Sequence, residues 1–408
     1  MTRAMKDSGI EWIGQIPENY TICKVKNIFK IGRGRVIAQT ELKDNGLYPV
    51  YSSQTLNNGC MGYINTYDFD KPQLTWTTDG ANAGTVFLRT GKYNCTNVCG
   101  TLSPITKICN LSYMLYNISY IAFFHKRIDT NGYKIMNNEM GNIEILLPPL
   151  TEQKKIADYL DKRCEKIDTA IDNQKQIIEK LKEYKQSLIT ETVTKGLNPN
   201  VKLKDSGIEW IGSIPEHWNI RKAKHFLRQK GIKNKPNEEV LSLYRDLGVV
   251  IKSSREDNFN VTSENTENYK FVEENDVVIN KMKTWQGSIA VSNYQGIVSP
   301  AYYVCEFTIK VFSRYIHYLL RNKAYIPEYR RLSEGIRIGQ WDLGYDDFKN
   351  IPYIFPPLSE QKEIAEYLDK KCNQIDAAIK QKEETISKLE EYKKSLIFEC
   401  VTGKKEVA

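Results

Sequence analysis

The chain has 408 residues, of which 41% are hydrophobic and 26% are charged, and its formal net charge is +8. This length suits at least two domains, and the composition excludes a disordered chain. No stretch approaches the roughly 18 to 20 apolar residues of a membrane span, and the first residues, MTRAMKDSGIEW, lack the apolar core of a signal peptide. We therefore expect a cytoplasmic protein with no membrane partner.

Two blocks of sequence occur twice and divide the chain into halves. The segment KDSGIEWIGQIPE at Lys6 recurs as KDSGIEWIGSIPE at Lys204, with one difference in 13 positions. The segment that begins PPLTEQKKIADYL at Pro148 recurs from Pro356, and 29 of 49 aligned positions are identical. A repeat of this size predicts one structural unit built twice.

Between the repeated blocks lie two variable regions, residues 19–147 and 217–355, for which no mutual alignment is apparent. Both are rich in Tyr, Val, Ile and Thr and are interrupted by Gly and Asn, which predicts mainly strands and loops, with a helix at Ser313. Polar side chains suited to base edges and phosphates cluster at the predicted turns. These candidate DNA-binding residues are Arg33, Arg35, Gln54, Thr77, Asp79, Asn82, Lys281, Lys283, Gln286, Arg337 and Gln340. For any one of them the alternative is an ordinary solvated loop residue.

Each Pro-Pro pair is followed by a predicted long helix that runs to about Val193 or Val401, with Thr151 and Ser359 as the N-caps. Apolar residues recur at heptad spacing along both helices, which predicts a coiled-coil seam between the two copies. The seam residues are Leu160, Ile167, Ile171, Ile178, Leu181, Leu188, Leu368, Ile375, Ile379, Ile386, Leu389 and Leu396. An amphipathic helix packed on its own domain is the alternative.

The charge is unevenly divided between the helices and the rest of the chain. Residues 151–196 hold ten basic and nine acidic side chains, and residues 359–404 hold nine and ten, so the two helices together are neutral. The excess positive charge therefore belongs to the remainder, which favours a polyanion such as DNA as ligand. Ordinary surface charge is the alternative.

Motifs of catalysis are missing from the sequence. There is no Gly-x-x-x-x-Gly-Lys-Ser/Thr phosphate loop, and the PPL segments lack the polar and aromatic neighbours of the adenine methyltransferase motif. The Glu152-Gln153-Lys154 segment resembles half of a nuclease site, but its place at a helix start favours an electrostatic role. Cys95 and Cys99 have the spacing of half a metal site, and no second pair completes it. We expect reduced thiols, no enzyme activity, and no metal or cofactor in this chain.

The duplicated layout resembles the specificity subunit of type I restriction–modification systems. Each half of this sequence opens with DSGIEWIG-x-IPE and closes with PPL-[TS]-EQK-x-IA-x-YLDK and a long helix, so the resemblance covers essentially the whole chain. It implies an α+β fold in which two mainly-β target recognition domains are joined by two long helices that form an antiparallel coiled coil. The implied segments are recognition domains at 1–147 and 205–355, spacer helices at 148–196 and 356–408, and a linker at 197–204.

The resemblance also implies a function in phage defence and DNA methylation. Each recognition domain would read one half of a split site in double-stranded DNA, and the helices would set the gap. Two methyltransferase subunits and two restriction (motor–nuclease) subunits would dock on this scaffold and would themselves bind S-adenosylmethionine, ATP and Mg. The alternatives are an enzyme that combines DNA binding with methyl transfer or cleavage, and a coiled-coil adaptor with two protein-binding domains.

Overall fold

A computed structural model describes residues 3–11, 13–130, 132–255, 265–335 and 341–407 of the chain. The chain forms two compact units: unit 1 contains Met1–Lys175 and Glu383–Ala408, and unit 2 contains Gln176–Lys382. Each unit therefore holds one variable region and parts of both long helices. The two units are defined only by how compactly the chain folds. The functional segments predicted from the sequence are a different division and stay predictions.

The elements of the described residues are short strands and a few helices. The strands are β1 (Met5–Asp7), β2 (Gln15–Pro17), β3 (Thr21–Lys24), β4 (Phe29–Arg33), β5 (Tyr48–Tyr51), β6 (Cys60–Ile64), β7 (Gln73–Thr77), β8 (Asp79–Gly80), β9 (Val86–Arg89), β10 (Asn94–Cys95), β11 (Cys99–Pro104), β12 (Arg127–Asp129), β13 (Gly132–Lys134), β14 (Glu144–Leu147), β15 (Leu203–Asp205), β16 (Ser213–Pro215), β17 (Asn219–Lys222), β18 (Leu227–Lys230), β19 (Leu241–Tyr244), β20 (Gly248–Ile251), β21 (Lys270–Val272), β22 (Val277–Asn280), β23 (Ile289–Val291), β24 (Gly296–Val298), β25 (Tyr302–Phe307), β26 (Ser333–Glu334), β27 (Asp342–Leu343) and β28 (Pro352–Phe355). The α-helices are α1 (Val25–Ile28), α2 (Leu111–His125), α3 (Asn137–Asn142), α4 (Leu150–Lys195), α5 (Ser313–Leu320), α6 (Ile326–Arg331), α7 (Tyr345–Phe348) and α8 (Leu358–Val401). The 3-10 helices are Gln39–Glu41, Leu56–Gly59, Ala223–His225, Lys252–Ser254 and Thr284–Gln286.

The centre of unit 1 is an antiparallel sheet with the strand order β4–β11–β7–β9, on which α2 packs. Trp76 of β7 is fully buried, and its indole nitrogen donates to the backbone oxygen of Ile135 at 3.0 Å. The Trp76 ring crosses Gly100 of the neighbouring strand so closely that a Cβ there would lie 2.3 Å from it. Any larger residue at position 100 would therefore displace the ring from the core.

Unit 2 repeats this sheet with the order β18–β25–β22–β23, again antiparallel, and α5 packs on β23 as α2 packs on β9. The predicted helix at Ser313 is confirmed. The two variable regions thus fold alike although their sequences do not align. A shared fold needs only a shared pattern of buried and exposed positions, which many sequences satisfy.

The first repeated block forms a hairpin in each unit, β1 with β2 and β15 with β16. The residues just beyond the hairpins reach the second repeated block. The Tyr20 hydroxyl donates to Glu152 at 3.0 Å in unit 1, and the indole nitrogen of Trp218 donates to Glu360 at 2.9 Å in unit 2. The glutamate of the PPL-x-EQ segment therefore anchors the residue that follows the opening hairpin in each unit.

The glutamine of the same segment fastens the start of each long helix to the variable region. Gln153 is fully buried; its amide nitrogen donates to the backbone oxygens of Ile108 at 3.0 Å and Pro148 at 2.8 Å, and its amide oxygen accepts from Asn110 N at 2.8 Å. Gln361 repeats this pattern in unit 2, where it accepts from Phe312 N at 3.0 Å. One side chain therefore satisfies one buried and two partly buried backbone groups in unit 1.

The prediction that Thr151 and Ser359 are N-caps is wrong. The helices begin at Leu150 and Leu358, so both hydroxyl residues lie within the first turn. The Pro149 oxygen accepts from Gln153 N at 3.0 Å, and the Pro357 oxygen accepts from Gln361 N at 2.9 Å. A proline carbonyl can open a helix because it needs only the acceptor, which proline retains.

Helices α4 and α8 pair in an antiparallel coiled coil, and the contacts inside each unit give its direction. In unit 1, Tyr159 of α4 lies near Lys405 beyond the end of α8, while Asp168 binds Lys393 at 2.6 Å. In unit 2, Lys185 binds Asp376 at 2.7 Å, which is the same pair in the repeated sequence. Residue numbers thus rise along one helix as they fall along the other.

The predicted seam residues lie in the interior of these helix pairs. Buried members are Leu160, Ile167, Ile171, Ile178, Leu368, Ile375 and Leu396. Half-buried members are Leu181, Leu188, Ile379, Ile386 and Leu389. Leu160, Ile167 and Leu396 also belong to the core of unit 1, so the seam continues into the variable domain.

Substitution of Gln153 by Ala is expected to lower the free energy of unfolding of the subunit by about 2–4 kcal/mol, because one buried and two partly buried backbone groups lose their partner. Urea denaturation followed by circular dichroism measures the effect. The control is Lys154→Ala on the exposed side of the same turn, for which we expect little change. Equal stability of the two variants would show that water replaces the glutamine at no cost.

Candidate nucleic-acid interface

One end of the central sheet of unit 1 collects several of the predicted DNA-binding residues. In the strand register, Gly100 lies opposite Arg33, and Cys99 lies opposite Thr77. The end of β4, the end of β7 and the start of β11 therefore meet at one edge of the sheet. The loop of residues 78–85, which carries Asp79 and Asn82, continues from this edge.

The loop of residues 52–60 joins this cluster. The Asn82 amide nitrogen donates to the hydroxyl of Thr55 at 3.3 Å, and the hydroxyl of Thr77 donates to the backbone oxygen of Asn82. The Gln54 amide nitrogen donates to the backbone oxygen of Cys60, so this side chain braces its own loop. The structure thus brings Gln54 and Asn82 into neighbouring loops, whereas Thr77 is fully buried at the end of β7. Contact of any of the three with bases stays a prediction.

The two arginine candidates of unit 1 differ in how far they are engaged within the protein. Arg35 binds Asp68 at 3.1 Å and Glu41 at 3.3 Å. The pKa of the Glu41 carboxyl is lowered, first by a hydrogen bond from the Ala38 backbone and then by the hydrogen bond from Arg35. Arg33 is exposed, and one of its guanidinium nitrogens lies 3.4 Å from a methionine sulfur. Arg33 therefore keeps its charge available to a phosphate, while Arg35 stabilises its own loop.

Asp79 holds a hairpin to this edge. The hairpin of β12 and β13 adds to β8, and Lys134 of β13 binds Asp79 at 3.3 Å and Asp129 at 3.0 Å. Hydrogen bonds to Asp129 and Asp79 raise the pKa of Lys134. The loop of residues 78–85 and the hairpin Arg127–Lys134 form what we call the loop–hairpin edge of unit 1.

Unit 2 has the same edge. Lys281, Lys283 and Gln286 lie in the loop between β22 and β23, the counterpart of residues 78–85, and the hairpin of β26 and β27 lies beside it. Lys281 binds Asp342 of the hairpin at 3.2 Å. The two remaining candidates, Arg337 and Gln340, lie outside the described residues.

One backbone hydrogen bond defines the equivalence of the two edges. Ile135 N donates to the oxygen of Thr78 at 2.9 Å in unit 1, and Leu343 N donates to the oxygen of Lys281 at 2.9 Å in unit 2. Each bond ties the end of the hairpin, Ile135 just after β13 and Leu343 as the last residue of β27, to the first residue after the central strand. Asp79 and Asn82 of unit 1 therefore fall in a loop equivalent to the one that carries Lys281, Lys283 and Gln286 in unit 2.

Aromatic side chains at these edges escaped the sequence-based selection. Tyr133 in the hairpin of unit 1 lies beneath the Lys126 ammonium at 4.3 Å. In unit 2 the guanidinium of Arg330 lies 5.4 Å from the ring of Trp341, which packs on Trp285 with 5.0 Å between centroids. No pattern in the sequence around these residues distinguishes them from the other aromatic residues of the variable regions.

The described residues hold no cluster of three or more His, Cys, Asp or Glu that suits a metal ion. His317 is half-buried, and its desolvation together with the nearby Arg321 and Arg314 lowers its pKa to about 3, so it is neutral at physiological pH. Cys95 and Cys99 are buried free thiols. Within the described ranges, no helix is both long enough and apolar enough to cross a membrane.

Comparison with known proteins identifies the class. A family model described as the type I restriction modification DNA specificity domain matches residues 17–183 and again residues 215–388. Two type I specificity subunits of Mycoplasma pneumoniae match part of the chain. One is 41% identical over 140 residues, 34% of this chain and 38% of that protein. The MpnII specificity subunit is 38% identical over 173 residues, 41% of this chain and 51% of that protein.

Other relatives match over nearly their full length. The MjaVIII specificity subunit of Methanocaldococcus jannaschii is 28% identical over 428 residues, which cover 96% of this chain and 94% of that protein. A chain from a solved type I restriction–modification system has a TM-score of 0.69 at 14% identity, with 96% of this chain and 99% of that chain covered. The HsdS subunit from Thermoanaerobacter tengcongensis has a TM-score of 0.51 at 13% identity, with 98% and 100% covered.

A protein with two such domains on paired long helices is a DNA sequence-specificity protein of a restriction–modification system. The chain belongs to the family of type I restriction–modification DNA specificity subunits.

Proposed function

We propose that this chain reads a bipartite DNA site, with one half-site recognised by each variable domain. The observation that carries the proposal is the loop–hairpin edge, which two unalignable sequences build in the same place on a repeated framework. A common framework with two different edges suits a protein that binds DNA in the same way at two half-sites of different sequence. The exposed Lys283 in the loop of unit 2 and the exposed Arg33 at the end of β4 in unit 1 supply positive charge for the phosphates.

The helices are the second part of the proposal. We propose that α4 and α8 act as a spacer that sets the distance between half-sites and as a scaffold for two methyltransferase and two restriction subunits. Methyl transfer and cleavage then belong to those partners, which bind S-adenosylmethionine, ATP and Mg. This role places the subunit with its DNA, in the cytoplasm.

Labelled S-adenosylmethionine tests the division of labour. We expect no methyl transfer to DNA by the purified chain alone, and transfer once methyltransferase subunits of the same system are added. Transfer by the chain alone would favour an enzyme that combines reading and catalysis.

Salt dependence separates DNA reading from a pure adaptor role. A complex that neutralises phosphates with Lys and Arg loses DNA affinity steeply between 50 and 200 mM salt, by about a thousandfold for six or more phosphate contacts. The assembled complex should show this loss. DNA affinity that is absent, or that is the same for the methyltransferase alone, would support the adaptor.

A further inference from the structure

The two loop–hairpin edges share a feature that their sequences do not suggest: an aromatic ring beneath a cation at the same point of the hairpin. The backbone bonds from Ile135 and Leu343 make these two residues equivalent. Tyr133 and Trp341 each stand two positions before them. Both rings therefore occupy the same site of the fold, one in each unit.

In unit 1 the ring is held in place and still open to solvent. Tyr133 is 39% exposed and Phe123 is 59% exposed, and the ammonium of Lys126 lies 4.3 Å from each ring. Lys126 directly follows α2, so the end of this helix fixes its position. The neighbouring Lys134 binds Asp79, and this ion pair holds the hairpin, and with it the Tyr133 ring, against the loop of residues 78–85.

In unit 2 the same site carries larger groups. Trp341 and Trp285 pack with an angle of 58° between their planes, and Arg330 of α6 supplies the cation. The indole nitrogen of Trp285 already donates to the backbone oxygen of Met282 at 3.0 Å. Its hydrogen-bonding capacity is therefore used within the loop, and the ring surface is what it can offer to a ligand.

In both units an ion pair joins the hairpin to the neighbouring loop. In unit 1 the loop supplies the acid, Asp79, and the hairpin supplies the base, Lys134; in unit 2 the loop supplies Lys281 and the hairpin supplies Asp342. The charges are exchanged, yet the pairing persists. The position of the hairpin relative to the loop is therefore kept while its residues change.

We propose that Tyr133 and Trp341 each stack on a DNA base of the half-site read by their own unit, with Lys126 and Arg330 beside the adjoining phosphate. Aromatic rings stack on any base, and a cation next to the ring adds attraction for the backbone. A wedge of this kind enters a duplex where a base step is partly unstacked. This inference rests on the proposed function, because it requires that the units read DNA.

The alternative is that the rings only pack the hairpin against its loop. Leucine separates the two roles, since it keeps apolar bulk but has no flat π face. We therefore expect Tyr133→Leu and Trp341→Leu to lower DNA affinity about tenfold, whereas Tyr133→Phe and Trp341→Phe stay close to the wild type. Tyr294→Leu, an exposed tyrosine beyond the far end of β23, is the matched control and should bind normally.

The measurement is the affinity of the assembled methyltransferase complex for duplexes in which one half-site at a time is scrambled, together with the fluorescence of 2-aminopurine placed along each half-site. Tyr133→Leu should weaken one half-site and Trp341→Leu the other. The change in 2-aminopurine fluorescence that accompanies binding should be lost at the half-site whose ring is removed. Wild-type affinity in both leucine variants, or an equal loss on both half-sites, would overturn the stacking role. Failure of the wild-type complex to bind a split site would instead overturn the proposed function.

Discussion

Replacement of residues 19–147 by the variable region of another specificity subunit is expected to change one half of the methylated DNA motif completely and to leave the other half as it was. The reason is structural. The sheet β4–β11–β7–β9 and its loop–hairpin edge are built within unit 1, and the core of that unit closes around α2 and parts of the two long helices. A new edge on the same sheet should therefore bring its own specificity without disturbing unit 2.

The motif is read by methylation-sensitive sequencing of DNA from cells that carry the chimera and the methyltransferase subunits. The reciprocal exchange of residues 217–355 is the control and should change only the other half. A change in both halves after either exchange would contradict the modular account.

Insertion of one heptad into each long helix, after Ile177 in α4 and after Glu383 in α8, is expected to abolish methylation at the original spacing. Seven residues preserve the seam pattern but lengthen a helix by about 10 Å, close to three base pairs of B-DNA. Three base pairs also rotate the second half-site by roughly 100° around the duplex, so the original site no longer presents both halves to the protein.

A matched insertion separates this effect from general damage. The same seven residues placed after Asn198, in the exposed linker, lengthen a connection without lengthening the helices, and we expect the motif and its efficiency to be retained. Unchanged spacing and efficiency after insertion into the helices would show that they are not the spacer.

The long helices could be predicted from the sequence because a heptad stripe without Gly or Pro is a strong and local signal. Helix α2 was missed, since LSYMLYNISYIAFFH combines the Tyr and Ile of a strand with no marked polar face, and its N-cap, Asn110, reads equally well as a turn residue. Tertiary packing on the sheet decides in favour of the helix. The N-cap prediction failed because the helices begin before Thr151 and Ser359, on the backbone oxygens of Pro149 and Pro357.

The candidate site was predicted only in outline. Residue type and turn placement found the loops that carry Asp79 and Lys281, but these two charges bind the hairpin, a pairing between segments more than fifty residues apart in each unit. The equivalent positions of Tyr133 and Trp341 become visible only once the same pairing of loop and hairpin is known. Such contacts depend on strand register, which no local pattern in the chain reveals.

The most direct test of the central claim is methylome sequencing of a host with and without this gene, with its methyltransferase and restriction subunits present in both. We predict that a split motif, two short half-sites separated by a fixed gap of unspecified bases, is methylated only when the gene is present. Methylation that is unchanged on deletion, or a single continuous motif, would contradict the account of two recognition edges on one helical spacer.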